Sequence, residues 1–305
     1  MSPRTRSPDR LTSAGTTAQS FSTDPRALVD ASGVRVDLPS SPIRIVSLVP
    51  SVTETLFALG LGDRLAAITT WCVHPAGAIA LKPRVGGTKN PDIPAIERLA
   101  PDLVLANLEE NREIDVRRLR ERGLSVWVDF PCTVDDAIEQ IRRLAALGAR
   151  ADALAEMLCP IEQAVAAARS TPPRRRLRGF IPIWRDPWMS ISRRTYAHDL
   201  LSLVGIDTIF ADSVERYPRV TLEQVAALDP DLVLLPDEPY RFTAEDADLL
   251  GRSEPLGATS AARRGAIHVI DGTLPFWHGP RLGRAIESLA ALAAATRALD
   301  DDPAR

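Results

Sequence analysis

Aromatic and ionisable side chains crowd the segments that follow apolar runs. Trp71, Cys72 and His74 follow residues 65–70, Glu109 and Glu110 follow 102–107, and Asp129 and Phe130 follow 124–128. Trp184, Arg185, Asp186 and Trp188 follow 179–183, and Tyr217 lies in ERYPRV. Asp237, Glu238, Tyr240 and Phe242 follow 231–235, while Phe276, Trp277, His278 and Arg281 follow 265–271. The chain has 5 Trp, 3 Tyr and 7 Phe, and most of them fall in these segments rather than inside the apolar runs. Rings so placed suit a cleft that stacks on a large, flat or apolar ligand. The alternative is that each ring plugs its own loop.

His74 and His278 sit in such segments, where an imidazole can touch a ligand or bond axially to a metal already held in a chelate. Contact through a neutral imidazole is expected to weaken as pH falls through about 6.5. His198 falls in a helical pattern and His268 in an apolar run, which marks them as structural. Catalytic signatures are absent. There is no HExxH or CxxC, Ser47 and Ser51 lie outside any GxSxG, and Gly60-Leu61-Gly62 and Gly86-Gly87 form neither GxGxxG nor a Walker loop. Cys72 and His74 are too near in sequence to meet as a Cys–His pair. The reading is therefore a binding protein and not an enzyme. The alternative is a metal-dependent hydrolase or chelatase-like enzyme using His74, Glu110, Asp129 and His278.

The elements that must carry these residues alternate. RIVSLV (44–49), LAAITT (65–70), DLVLAN (102–107) and LSVWV (124–128) read as buried strands. Helical patterns at TETLFALG, IPAIERLA and REIDVRRLRER separate them, with Ser51 and Glu54 spaced as a capping box and Gly60 and Gly123 as helix stops. The same grammar returns in GFIPI (179–183), TYAHDLLSLVG (195–205), TLEQVAALDP, DLVLLP and GAIHVID (265–271), before a last helix after Pro280. AIERLAPDLVLAN (95–107) and QVAALDPDLVLLPD (224–237) repeat one pattern, which suggests a duplicated architecture. Between the halves, residues 133–169 keep helical periodicity with only Gly148 and Pro160 as interruptions. This predicts an inter-lobe helix capped by Thr133 and Asp136, kinked if anywhere near Pro160. The fold class is α/β: two Rossmann-like lobes, each a parallel sheet flanked by helices, joined by a long backbone helix. The expected divisions are a mobile tail over 1–40 with a short edge strand at 34–38, lobes at 41–132 and 171–305, and the connector at 133–170.

A chain of 305 residues with 45% apolar and 25% charged residues can bury two such cores. Its net charge of −3 argues against nucleic acid or an anionic membrane as partner. The positive charge is almost all arginine, with only Lys82 and Lys89 besides, and the run Arg174-Arg175-Arg176 reads as a solvated loop. No stretch is long and apolar enough to embed in a membrane. The first twenty residues have no apolar signal core and Cys72 is the first cysteine, so the expected location is cytoplasmic as the sequence stands, or exported or at the cell surface if the start is misassigned. Cys72, Cys132 and Cys159 form no paired spacing. A monomer is expected.

Taken together, RIVSLVPS, TETLFALGLGDRLAAIT, PRVGG…NPDIPAIERLAPDLVLA, the long helix and TLEQVAALDPDLVLL resemble the helical-backbone (class III) substrate-binding proteins of ABC importers. The likeness spans about 43–298 and is nearest to the cobalamin-binding branch beside the iron-chelate receptors. It implies a ligand clamped between two lobes on a rigid helix, in a preformed cleft. The implied ligand is a corrinoid or iron chelate, with no resident cofactor required. By loop position it implies ligand contacts from Trp71, His74, Trp184, Trp188, Tyr217, Trp277, His278 and Arg281. It also implies an ABC permease as partner, met through one surface glutamate on each lobe. Glu223 matches the second of these; Pro94 stands where the first is expected, with Glu97 one turn later.

Overall fold

The structure is a computed structural model that describes residues 27–39 and 41–299. Two four-stranded parallel sheets dominate it. In the first, β1 (Ile45–Ser47) lies between β2 (Leu65–Ile68) and β3 (Leu103–Asn107), and β4 (Val126–Asp129) flanks β3. In the second, β5 (Leu177–Phe180) lies between β6 (Ile206–Thr208) and β7 (Leu232–Pro236), and β8 (Ile267–Ile270) flanks β7. The two orders are the same, so the internal repeat is a repeat of topology. Every residue of β1, β3, β4 and β7 is buried, as expected of parallel strands covered on both faces.

The repeated Pro-Asp pair has a mechanical role in each lobe. Helices α1 (Pro50–Ala58), α2 (Ile93–Arg98) and α3 (Glu113–Glu121) serve the first sheet, and α2 runs into Ala100 at φ 42° just before Pro101. The Asp102 carboxylate then accepts from Ile43 N and Arg44 N at 2.8 and 2.9 Å, while Asp102 N donates to Arg44 O. In the second lobe Asp229, at φ 40°, precedes Pro230, and Asp231 accepts from Arg178 N at 2.8 Å and donates its own N–H to Arg178 O. One aspartate thus staples the third strand of each lobe to the first.

The connector is two helices, α4 (Val134–Ala145) and α5 (Ala151–Ser170). The expected capping box of Thr133 and Asp136 is present. The break falls at Gly148, φ 112°, beneath the Arg64 guanidinium, and not at Pro160, which lies inside α5. Pro160 and Glu156 are both exposed, so water can satisfy the carbonyl whose helical partner proline removes. Helices α6 (Tyr196–Leu203), α7 (Leu222–Ala227), α8 (Ala244–Arg252) and α9 (Leu282–Ala298) complete the second lobe. One apolar cluster runs from Ile45 and Leu56 through Ile141, Met157 and Ile161 to Leu177, Ile286 and Leu289, so both lobes share a core along α4, α5 and α9. Separate clusters fill the outer face of each sheet.

Two further expectations are corrected. Ser51 is not a cap: α1 begins at Pro50 with Val49 at the N-cap and no side-chain cap, because the fixed φ of proline sets the first turn. The tail does not extend to residue 40. Ala27–Val29 pairs antiparallel with Arg35–Asp37, and this hairpin is tied to β4 by Asp30, whose carboxylate meets Val128 N at 3.0 Å and Arg120 at 2.5 Å. The reading of 1–25 as mobile lies outside the described residues.

The two staples differ in burial, which sets their worth. Asp231 is buried and also meets Arg175 and Arg264, whereas Asp102 is exposed. Asp231→Ala is expected to cost about 3 kcal/mol in urea unfolding, the scale of stripping a buried partner from arginines. Asp102→Ala is expected to cost about 1 kcal/mol.

Candidate functional site

Loops that follow strands of the two sheets meet across the gap between the lobes. After β3, Asn107 Oδ1 accepts from Glu109 N at 2.7 Å and Glu110 N at 3.2 Å. Asn111 returns to bond Asn107 N, Leu48 O and Thr88 O. This buried asparagine pair fixes a tight turn and presents Glu109 and Glu110. Opposite them, Ser192 N donates to Arg216 O and Ser190 N to Pro218 O, so Met189–Ser190 braces the loop bearing Arg216 and Tyr217.

Between these loops the lobes leave a cavity of about 60 Å³ lined by Val49, Pro50, Ser51, Asn107, Glu109, Glu110, Phe276, Trp277 and His278. That is room for a few waters, so the expected preformed cleft is closed here. The closure has three ties. Arg216 Nε donates to Glu109 Oε1 at 2.5 Å, and Tyr217 donates its hydroxyl to the same oxygen. The Arg216 guanidinium also lies over the Phe130 ring, 4.5 Å from its centroid. Arg281 Nε meets Glu54 of α1 at 2.8 Å. His74 and Trp277 meet edge to face at 5.8 Å across the gap. At Gly279, φ 92°, the second lobe passes so close to α1 that a Cβ would collide with Thr55 Oγ1.

The expected site residues therefore divide. Trp277 and His278 line the cavity, and His74, Tyr217 and Arg281 adjoin it. Trp71 does not line it and is 65% exposed. Trp184 and Trp188 do not line it: Trp188 stacks on Phe242 at 5.8 Å, and Trp184 meets Tyr240 edge to face, within an aromatic cluster of the second lobe. Loop position alone does not say which way a ring turns. Arg216 and Glu54 were missed by sequence reasoning, although Arg216 is the neighbour of the singled-out Tyr217. Tyr196 was also missed, because it sits in a helical pattern. Its buried ring packs edge to face on His278 at 4.7 Å.

The slot is acidic. Burial raises the pKa of Glu110, with Lys89 opposing and Glu109 adding to the rise. Burial likewise raises Glu238, against which the Trp277 indole is turned, and Asp237, Asp271 and Glu110 add their repulsion. Burial works against the Arg216 charge, but its bond to Glu109 more than restores it. His278 is part-buried with Nδ1 sealed from solvent and unpartnered, and burial pulls its pKa down to about 4 against the pull of Asp129 and Glu109. The imidazole is thus neutral well below pH 6.5, and a loss of His278 contacts near that pH is no longer expected. Among the described residues no three His, Cys, Asp or Glu side chains converge as a metal site.

On the surface, the duplicated helices α2 and α7 place Pro94 and Glu223 at the same second helical position. Glu223 is fully exposed, and its own helix N-terminus lowers its pKa. Glu97 is held by Arg122.

Comparison with known proteins gives a consistent picture. Residues 45–274 match the family model described as periplasmic binding protein. A vitamin B12-binding protein of Pectobacterium carotovorum is 28% identical over 206 residues, 67% of this chain and 74% of that one. The crystal structure of a periplasmic vitamin B12 binding protein of Vibrio cholerae superposes with a TM-score of 0.72 at 24% identity, covering 85% of this chain and 99% of the other. A periplasmic heme binding protein from Pseudomonas aeruginosa gives a TM-score of 0.67 at 27% identity, covering 84% and 92%. Relatives described as periplasmic run against the cytoplasmic location read from the first residues. No helix among the described residues is long and apolar enough to cross a membrane.

The His278 environment makes a signed prediction. In the unfolded chain the imidazole takes a proton near pH 6.5, while in the folded chain it does so only near 4. Its contribution is therefore complete above pH 6.5 and is lost as pH falls toward 4. Glu110 and Glu238, raised by burial, act in the opposite sense. Urea unfolding of wild type and His278→Gln at pH 7.5 and 4.5 isolates the histidine. The wild type should lose about 2 kcal/mol more than the variant on acidification.

Proposed function

The chain belongs to the periplasmic binding protein family, and from that premise we propose that it holds a corrinoid in the slot between its lobes. The family is one of binding proteins, which sets the hydrolase alternative aside. One observation carries the choice of ligand: Glu110 lines the slot and Glu238 stands near it on the opposite lobe, burial raises the pKa of both, and neither makes an ion pair among the described residues. Of the nearby cations Arg216 is engaged by Glu109, Arg281 by Glu54 and Arg143 by Asp129, and Lys89, which offsets part of the Glu110 shift, bonds the Glu109 carbonyl. Haem brings two carboxylates and many ferric chelates are anionic, so each would be desolvated against like charge. A corrinoid presents neutral amides around its rim. A carboxyl held protonated by burial donates to an amide oxygen, and an ionised one accepts from an amide N–H.

On this proposal Trp277 and Trp71 supply apolar faces for the macrocycle, and His74 or His278 is the candidate to meet the metal or a rim amide. In this reading the protein works outside the cytoplasm, which the periplasmic relatives support, and delivers its cargo to an ABC permease. Glu223 is its free docking carboxylate, and Glu97 contributes less because Arg122 already neutralises it.

Isothermal titration with cyanocobalamin, dicyanocobinamide and haemin tests the ligand. A corrinoid should bind at least ten times more tightly than haemin, and tryptophan fluorescence should change on saturation. Haemin binding more tightly than both corrinoids would sink the proposal. Trp277→Ala should weaken corrinoid binding by about 1–3 kcal/mol, the scale of one large stacked ring. Replacing Glu110 and Glu238 together by Gln should narrow the gap between corrinoid and haemin.

A further inference from the structure

We propose that Glu109 is an internal competitor for the ligand. Its carboxylate occupies an acceptor-binding subsite built by Arg216 and Tyr217, and an oxygen acceptor of the ligand displaces it. The ligand half of this inference rests on the function proposed above; the latch itself does not.

The geometry has two parts. The first is a fixed receptor for an oxygen. Within its own lobe the Arg216 guanidinium is held by Nη1, which donates to Arg194 O; Phe130 beneath the plane and Cys132 Sγ, 3.7 Å from Nη1, come from the other lobe. That leaves Nε, Nη2 and the Tyr217 hydroxyl. Nε and the hydroxyl converge on one oxygen of Glu109, while Nη2 is buried with no partner. A donor left over beside two engaged ones marks a subsite that its present occupant satisfies incompletely. The second part is that the occupant comes from the other lobe, on the turn pinned by Asn107 and Asn111. Holding the subsite is therefore one of the ties, with Arg281–Glu54 and His74–Trp277, that keep the slot at about 60 Å³, too small for any macrocycle. Parting the pair leaves the shared core along α4, α5 and α9 in place. The ligand group that fits is an oxygen acceptor, an amide carbonyl or a phosphate.

Apparent affinity falls by the fraction of molecules whose site is open. Removing the competitor must therefore open the slot and tighten binding, whereas removing the receptor must open the slot and weaken binding. Small-angle scattering of the ligand-free protein and titration with cyanocobalamin and dicyanocobinamide read the two effects separately. Glu109→Ala should increase the radius of gyration and tighten binding by about tenfold. Glu109→Gln should do both to a smaller degree. Arg216→Gln should also expand the molecule but weaken binding, and Tyr217→Phe, which keeps the ring, should follow it mildly. Loss of affinity in Arg216→Gln for cyanocobalamin alone assigns the subsite to the nucleotide phosphate; loss for both corrinoids assigns it to a rim amide. An unchanged radius of gyration in Glu109→Ala, or weaker binding by that variant, overturns the proposal. If the wild type binds neither corrinoid, the corrinoid reading fails on its own. Scattering by Glu109→Ala then still decides whether the latch exists.

Discussion

The separation of the two lobes is the constraint on which the rest depends. Helix α5 and the apolar cluster it shares with α4 and α9 fix one side of the molecule. Parallel strands in each sheet put their carboxyl ends on one side, and loops from both sheets meet at the gap. With the spacing set from behind, the loops in front must either find partners across the gap or leave polar groups in a poorly hydrated crevice. Glu109, Glu54 and His74 find partners in Arg216, Arg281 and Trp277. Glu238 Oε1 and His278 Nδ1 do not, and burial shifts the proton affinities of both groups and of Glu110.

That division separates two kinds of interaction in one crevice. The satisfied pairs hold the closed form, and the unsatisfied groups are what a ligand can improve upon. An arginine lying on Phe130 while bonded to a carboxylate is a strong local tie, because both contacts strengthen where water is excluded. A neutral imidazole edge-on to a buried tyrosine is a different environment, tolerant of amides and apolar surface but averse to charge.

Much of the fold was legible because its signals are local. The capping box at Thr133, the helix stops at Gly60 and Gly123 and the repeated Pro-Asp pair each act within a few residues. The break at Gly148 was misplaced to Pro160, since a proline's effect depends on whether the freed carbonyl has water, and periodicity does not report that. The first α-helix was credited to Ser51 because a capping spacing and a proline start look alike in sequence. At the site, the loops were found and the pairings were not. Glu109 and Arg216 are 107 residues apart, and nothing near either one names the other. Trp188 and Trp277 were indistinguishable by position, yet one packs on Phe242 and the other faces the cavity.

The duplicated helices α2 and α7 give the molecule a nearly symmetric outer face with an asymmetric charge. One lobe offers the free carboxylate of Glu223; the other offers the ring of Pro94 at the matching position. A partner built as two identical halves, each presenting a cation, would gain one ion pair and lose nothing by rotation through half a turn. The chain would then dock equally well in two orientations. A partner with one cationic half and one apolar half would accept only one orientation. For such partners the choice of orientation would turn on the difference between Pro94 and Glu223.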